Sequence, residues 1–349
     1  MTERPLTTYC KANPGLELQD VFKYLYQSCL GCEHFAPDYD YALECIESEL
    51  ETADESGLPD IEALDGNFCR VNLRMVEKGL SAETLCRLFL LSAETQEDGF
   101  ENLKNKLSAL RCLASEAKVP FTLEETETAI KKWLGEGLPA VHHSEAFRHR
   151  YRPQYRVVKK DYADFIPLFI RIDKAHKKGG LTFAIDGRAA AGKTSLSKLL
   201  KAVYDANIFH MDDFFLRPWQ RTDERLNTPG GNVDHERFLE EVLIPISQRQ
   251  PVEYRRYNCQ RERMDETETI PYKSLNIIEG AYSMHPKLME YYDFTVFMDI
   301  SPELQKKRIR KRNSPELAER FFSEWIPLEE IYFKKLSVQS KADMIFVQD

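Results

Sequence analysis

The residues of this chain best suited to chemistry lie in one run, Gly187-Arg188-Ala189-Ala190-Ala191-Gly192-Lys193-Thr194, followed by Ser195. The run fits G-x-x-x-x-G-K-[ST]. Polyphosphate oxygens need several donors held close together. Glycines at 187 and 192 let the backbone approach an anion with no Cβ in the way. Loop N–H groups and the positive end of a following helix then point at the phosphates. Lys193 supplies a point charge for the β- and γ-phosphates, and the Thr194 hydroxyl is a ligand for Mg²⁺. Residues 187 to 195 are therefore the expected binding segment for ATP, with Mg²⁺ as its companion.

The pattern carries meaning only between a strand and a helix. Upstream, Leu181 to Ile185 is a short apolar run that reads as a buried strand. Downstream, Thr194 to Val203 places Leu196, Leu199 and Leu200 on one helical face. Further apolar runs at Ala206 to Met211, Leu275 to Ile278, Phe294 to Met298 and Met344 to Val347 alternate with helical stretches. That alternation predicts an α/β fold, a P-loop NTPase with a parallel sheet and helices on both faces. Ligands of such sheets gather at the carboxyl ends of the strands.

Acidic residues fall at those ends. Asp212-Asp213 follow the second strand; the pair suits proton abstraction from a hydroxyl or metal positioning, and also the capping of a turn. Glu279 ends the third strand and can hold Mg²⁺, directly or through water. Asp299 ends the fourth, but Ser301-Pro302-Glu303 after it is a helix-start pattern, which assigns Asp299 to capping. Gln305 to Asn313 carries six basic residues in nine. Arg308 and Arg312 share a helix face there, suited to neutralising charge during phosphoryl transfer.

From about residue 180 to 349 the chain resembles the uridine kinase and phosphoribulokinase family of P-loop kinases. The resemblance rests on the loop, Asp212-Asp213-Phe214-Phe215, Asn232-Val233-Asp234-His235, Tyr257, Ile278-Glu279-Gly280, the arginine-rich segment and Lys341-Ala342-Asp343. His210 to Pro218 is also similar to nicotinamide riboside kinases. The resemblance implies ATP- and Mg²⁺-dependent phosphoryl transfer to a hydroxyl of a small molecule, a nucleoside or riboside. It implies Asp212 as general base and Mg²⁺ neighbour, and Asp234, Phe215 and Tyr257 at the acceptor. It also implies Thr194 and Glu279 at Mg²⁺, with Arg308, Arg312 and also Arg310 in a lid. The chain departs from the family at Glu262, near a base-contacting histidine position, and at Asn313. The resemblance therefore speaks to the kinase family more than to uridine as acceptor. A nucleotide-gated switch is the alternative, but no N-K-x-D motif follows the loop, and such a switch has no use for Asp212, Asp234 and Tyr257.

With 349 residues, two domains are expected. Residues 1 to 150 read as an all-α domain of unknown role. Its helices are expected at Leu16 to Cys29, Tyr39 to Leu50, Phe68 to Gly79, Ser81 to Ser92, Glu101 to Ala117 and Thr122 to Leu134, with a loop at Asp54 to Asp65. Residues 137 to 160 are basic and aromatic and read as a solvated linker in preference to an anionic-ligand site between the domains. Residues 151 to 180 are taken as connector and lead-in helix, with the helix at Asp161 to Lys174, and 181 to 349 as the kinase domain. A net charge of −9 speaks against nucleic acid as partner. No apolar run approaches bilayer length, and a cytoplasmic location is expected. A homo-oligomer is compatible with the composition. Eight cysteines, mostly in the first third, read as free thiols packed in a core. Cys29, Cys32 and His34, with His142 and His143, form only a loose match to a metal site.

Overall fold

The computed structural model describes residues 3–32, 38–51, 57–94, 96–177, 179–259 and 261–348. The chain divides into two compact units, Met1–Lys174 and Ala175–Asp349.

The first unit is mainly helical: α1 (Glu3–Ala12), α2 (Leu18–Leu30), α3 (Tyr39–Glu51), α4 (Ala82–Leu91), α5 (Gly99–Ser115), α6 (Leu123–Gly135), α7 (Glu145–Tyr151), α8 (Lys160–Ala163) and α9 (Ile166–His176). The expected caps are in place. Ser81 Oγ accepts from the Thr84 N–H, and Thr122 with Glu125 forms a reciprocal capping box. Three strands correct the all-helix expectation: β1 (Ile61–Ala63), β2 (Phe68–Asn72) and β3 (Tyr155–Lys159) form an antiparallel sheet in that order. β2 replaces the start of the helix expected from Phe68, and β3 lies within the segment read as a connector. Every residue of β2 is buried, its polar residues Arg70 and Asn72 included.

Arg70 on β2 is 2% exposed, donates to Gln27 and Glu62, and stands over the Tyr155 ring. His143 bonds Asp20 and the Tyr155 hydroxyl; burial pushes its pKa down to about 4. It is thus a core histidine rather than a metal ligand. Cys29 and Cys32 are buried and in no disulfide, Cys32 Sγ donating to the Phe89 and Val157 oxygens, and His34 lies outside the described residues.

The second unit is built on parallel strands β4 (Leu181–Gly187), β5 (Asn207–His210), β8 (Leu275–Glu279), β9 (Phe294–Ile300) and β10 (Met344–Gln348). Their order is β10-β9-β4-β8-β5. An antiparallel hairpin, β6 (Val252–Asn258) and β7 (Arg263–Ile270), stands apart from this sheet. The helices are α10 (Lys193–Val203), α11 (Asp223–Asn227), α12 (His235–Phe238), α13 (Ile244–Ser247), α14 (Pro302–Arg312), α15 (Pro315–Arg320), α16 (Ile326–Leu336) and α17 (Val338–Lys341). β4 is buried along its whole length, as expected of a central parallel strand covered on both faces. α10 buries Leu196, Leu200 and Val203, each contributing roughly 1.5–3 kcal/mol of transfer free energy. Among the described residues, no helix is long and apolar enough to cross a membrane.

Candidate functional site

The loop leaves β4 at Gly187. A side chain there would meet the Met298 carbonyl oxygen at 2.1 Å, and φ is +138°. Only glycine satisfies both demands. The Arg188 N–H donates to the Met298 oxygen (3.1 Å), and Ala191 N–H to the Arg188 oxygen (3.1 Å). Gly192, with φ +98°, turns the chain into α10. Lys193 is buried, and its Nζ donates to the Gly187 oxygen (2.7 Å) and the Arg188 oxygen (3.0 Å). The N–H groups of Ala190, Gly192, Lys193 and Thr194 donate to no acceptor among the described residues, which leaves donors at a helix N-terminus for an anion. Ser195 is exposed on the first turn of α10.

Strand register brings the acidic residues to the loop. Glu279 stands level with Ile185 on one side and His210 on the other. Its carboxylate accepts from Thr194 Oγ1 (3.1 Å) and from His210 Nδ1 (2.7 Å). Burial alone would raise Glu279, but the His210 hydrogen bond and the Lys193 charge outweigh it and hold the carboxyl below its usual range. The same hydrogen bond raises His210. Nothing in the local pattern singles out His210; only the strand register shows its partner.

The stability contribution of this pair has a defined window. The His210 part is full below the ordinary histidine value and is lost as pH rises through the raised one. The Glu279 part is present above the ordinary glutamate value and is lost as pH falls through the depressed one. The stability difference between the native chain and His210→Gln, read by urea unfolding across pH, is expected to be largest between those limits and to shrink on both sides.

The two aspartates after β5 separate in role. Asp213 accepts from the Tyr254 hydroxyl (3.1 Å) and lies 3.5 Å from Arg256 Nε. Asp212 accepts no hydrogen bond among the described residues and is exposed at the end of β5. The surrounding protein raises its pKa; Lys193 pulls it down and Glu279 pushes it up. Of the pair, Asp212 is the available one.

A single antiparallel bridge, Phe215 to Val233, and the Asp234 N–H donating to the Phe214 oxygen (2.7 Å) tie the next motif to this turn. Asp234 is 3% exposed. It caps α12 by accepting from the Arg237 N–H, and its second oxygen takes Gln220 Nε2 (2.7 Å) and Arg217 Nη2 (3.4 Å). It lines a cavity of about 340 Å³ with Leu216, Gln220, Thr222, Arg225 and Glu236. Tyr257 on β6 is buried, and its hydroxyl has no hydrogen-bond partner among the described residues. Glu262 stands 4.0 Å from Arg221.

The basic helix divides. Arg308 Nη1 donates to the Ala190 oxygen (3.1 Å) and Gln305 Nε2 to the Ala189 oxygen (3.0 Å). Arg312 instead lies over the Phe321 ring and Arg310 over Phe322. Asp299 does not cap α14, whose N-cap is Ser301. It accepts from Arg188 Nε (2.7 Å) and Gln339 Nε2 (3.0 Å). The helix-start pattern belongs to the serine, and Asp299 was free to pair with a cation. Two buried acids escaped the sequence reading. Asp186 accepts from the N–H groups of Gly187, Tyr282 and Met284 and from the Tyr332 hydroxyl. Glu329 accepts from the Ala189 N–H. Neither lies in a motif.

Among the described residues, no group of three or more His, Cys, Asp or Glu is placed to hold a metal ion. A cation held by one carboxylate and by phosphate oxygens, as Mg²⁺ commonly is, fits the donor set at Thr194 and Glu279.

No protein-family model matches the chain, and no curated protein matches it. Solved structures match about half of it. A possible uridine kinase from Bacillus stearothermophilus aligns at 20% identity over 52% of this chain and 99% of its own, with a TM-score of 0.38. A protein assigned as a fructose transport system kinase from Silicibacter sp. TM1040 aligns at 19% identity over 48% of this chain and 90% of its own, with a TM-score of 0.37. Shikimate kinase from Bacteroides thetaiotaomicron aligns at 18% identity over 48% and 86%, with a TM-score of 0.27.

Proposed function

We propose that the second unit transfers the terminal phosphoryl group of ATP to a hydroxyl of a small molecule, a nucleoside or riboside. The observation that carries this reading is the free Asp212 carboxyl, raised in pKa, in electrostatic reach of the loop lysine and tied through Phe215 and Val233 to the Asp234 cavity. A loop alone fits any triphosphate user; a proton acceptor beside a hydrogen-bonding cavity fits a hydroxyl nucleophile.

In this reading the unengaged loop N–H groups and Lys193 bind the donor phosphates. Mg²⁺, when bound, neutralises phosphate charge, and Thr194 and Glu279 hold it. Asp234, Gln220, Phe215 and Tyr257 orient the acceptor, and Asp212 takes the proton from its hydroxyl as the new P–O bond forms and the bond from the γ-phosphorus to the bridging oxygen breaks, releasing ADP. Arg308, already at the loop, supplies positive charge to the transferring group; Arg312 and Arg310 join it by leaving their aromatic rings. Net charge −9 favours a small acceptor over nucleic acid.

The test is ATP consumption screened across nucleosides, ribosides and vitamin precursors. Acceptor-dependent turnover with one of these classes is expected. Hydrolysis that no acceptor stimulates would overturn the reading in favour of a nucleotide switch.

Tyr257→Phe separates function from stability. Its hydroxyl is buried and unpartnered, so removing it is expected to stabilise the fold by about 1 kcal/mol, the desolvation cost of an orphan polar group. If that hydroxyl serves the acceptor, the acceptor KM rises roughly tenfold while the ATP KM stays level. Thermal unfolding and steady-state kinetics on the same preparation check both signs.

A further inference from the structure

A buried carboxylate behind the loop has no part in the chemistry above. Glu329 lies in the first turn of α16, is 7% exposed, and accepts from the Ala189 N–H at 2.9 Å. The same helix makes three more contacts to residues 186–188. Glu330 pairs with Arg188, the Tyr332 hydroxyl donates to Asp186 (2.8 Å), and Phe333 lies under the Arg188 guanidinium.

The loop's polar groups fall into two sets. Those of its first half are committed to the protein. The Gly187 N–H donates to Asp186, that of Arg188 to Met298 and that of Ala189 to Glu329. The oxygens of Gly187 and Arg188 take Lys193, and those of Ala189 and Ala190 take Gln305 and Arg308. The N–H groups of Ala190, Gly192, Lys193 and Thr194 are left for an anion. Ala190 sits at the junction with φ +62°. A non-glycine residue in that region is strained, and the conformation persists only where its surroundings over-determine it.

We infer that Glu329 is a positioning residue for nucleotide binding: by accepting from the Ala189 N–H it fixes the first half of the loop and so aims the donors that begin at Ala190. This rests on the phosphoryl-transfer reading. The agent is the hydrogen bond rather than the charge, because a negative group behind the loop opposes a triphosphate. Glutamine keeps an oxygen acceptor without that charge. Aspartate keeps the charge but is one methylene too short to reach.

The experiment is titration of the full chain and its variants with a fluorescent ATP analogue in the presence of Mg²⁺, with ATP and acceptor KM measured in turnover. Glu329→Ala is expected to weaken nucleotide binding roughly tenfold or more, as misplacement of a binding group does, with the acceptor KM unchanged. Glu329→Asp should behave like alanine and serves where E329A does not fold. Glu329→Gln should recover most of the lost affinity. Wild-type affinity in both E329A and E329D would overturn the inference. So would E329Q as weak as E329A, or equal shifts in the ATP and acceptor KM. Lys193→Ala separates the two readings. If the wild-type chain binds no nucleotide, the phosphoryl-transfer reading fails and takes this one with it. If it binds and K193A does not, while E329A and E329D bind normally, only the Glu329 inference fails.

Discussion

Asp212→Asn is expected to lower kcat by roughly 10²–10⁴-fold, the usual contribution of a positioned general base, with ATP-analogue binding within about twofold of wild type. Asparagine preserves the shape of the side chain and removes its ability to take a proton. Its neighbour Asp213 cannot substitute, because Tyr254 and Arg256 already engage that carboxylate. The pH profile supplies a second check. Below its pKa the Asp212 carboxyl carries a proton and cannot accept one, so kcat/KM falls as pH falls. The surrounding protein and Glu279 raise that pKa and Lys193 lowers it, with a net rise. The acid limb therefore lies above the ordinary aspartate value of about 3.9. Full turnover by the asparagine variant, measured with the acceptor found by screening, would remove Asp212 from the chemistry.

Lys193→Ala is expected to weaken ATP binding by roughly 10²-fold or more, the scale seen when one partner of a buried charge pair is truncated. The reason is local charge balance. Four acids, Asp186, Asp212, Glu279 and Glu329, each feel Lys193 as a cation that holds their pKa down. Without it, those carboxylates face the triphosphate with less to offset them. Two loop oxygens, those of Gly187 and Arg188, lose their donor at the same time. A further sign follows. With the lysine gone, the Asp212 pKa moves up, so residual turnover at saturating ATP should show its acid limb at higher pH than wild type. Calorimetric titration measures the first effect and a pH–rate profile the second; unchanged affinity would take the lysine out of phosphate binding.

What the sequence made visible and what it hid differ in range. The loop, its strand and its helix lie within a few turns of one another, so one local pattern displays them. The strand ends carrying Asp212 and Glu279 were legible because buried parallel strands read as apolar runs. β1, β2 and β3 were not: β1 is only three residues long, β2 is buried on both faces, and β3 lies far along the chain. Cys69-Arg70-Val71-Asn72 does alternate, and Asp65-Gly66 before it is a turn signal, but an arginine in its middle argues against a core strand. Arg70 is tolerated there because Gln27, Glu62 and Tyr155 surround it. Asp186, His210 and Glu329 were missed for a related reason. Each works through a partner brought near only by tertiary packing, and a lone carboxylate or imidazole in a sequence window shows no such partner. Asp299 shows the opposite error: a strong local pattern drew it into a capping role, whereas the N-cap position belongs to Ser301 and Asp299 pairs with Arg188.

The order of strands in the second unit also bears on how the chain emerges from a ribosome. β4 is central, and its hydrogen-bonded neighbours are Leu275–Glu279 and Phe294–Ile300. The strand that launches the phosphate loop is thus made early, but both of its partners are made late. Gly187 cannot take its place against Met298, nor Ala189 find Glu329, until those residues have left the exit tunnel. Non-local parallel pairing of this kind is slow, and an exposed apolar β4 in the waiting nascent chain is the segment most open to misassociation. Nucleotide cannot rescue that interval by binding, since the cradle that would receive it forms only after β8, β9 and α16 have been made.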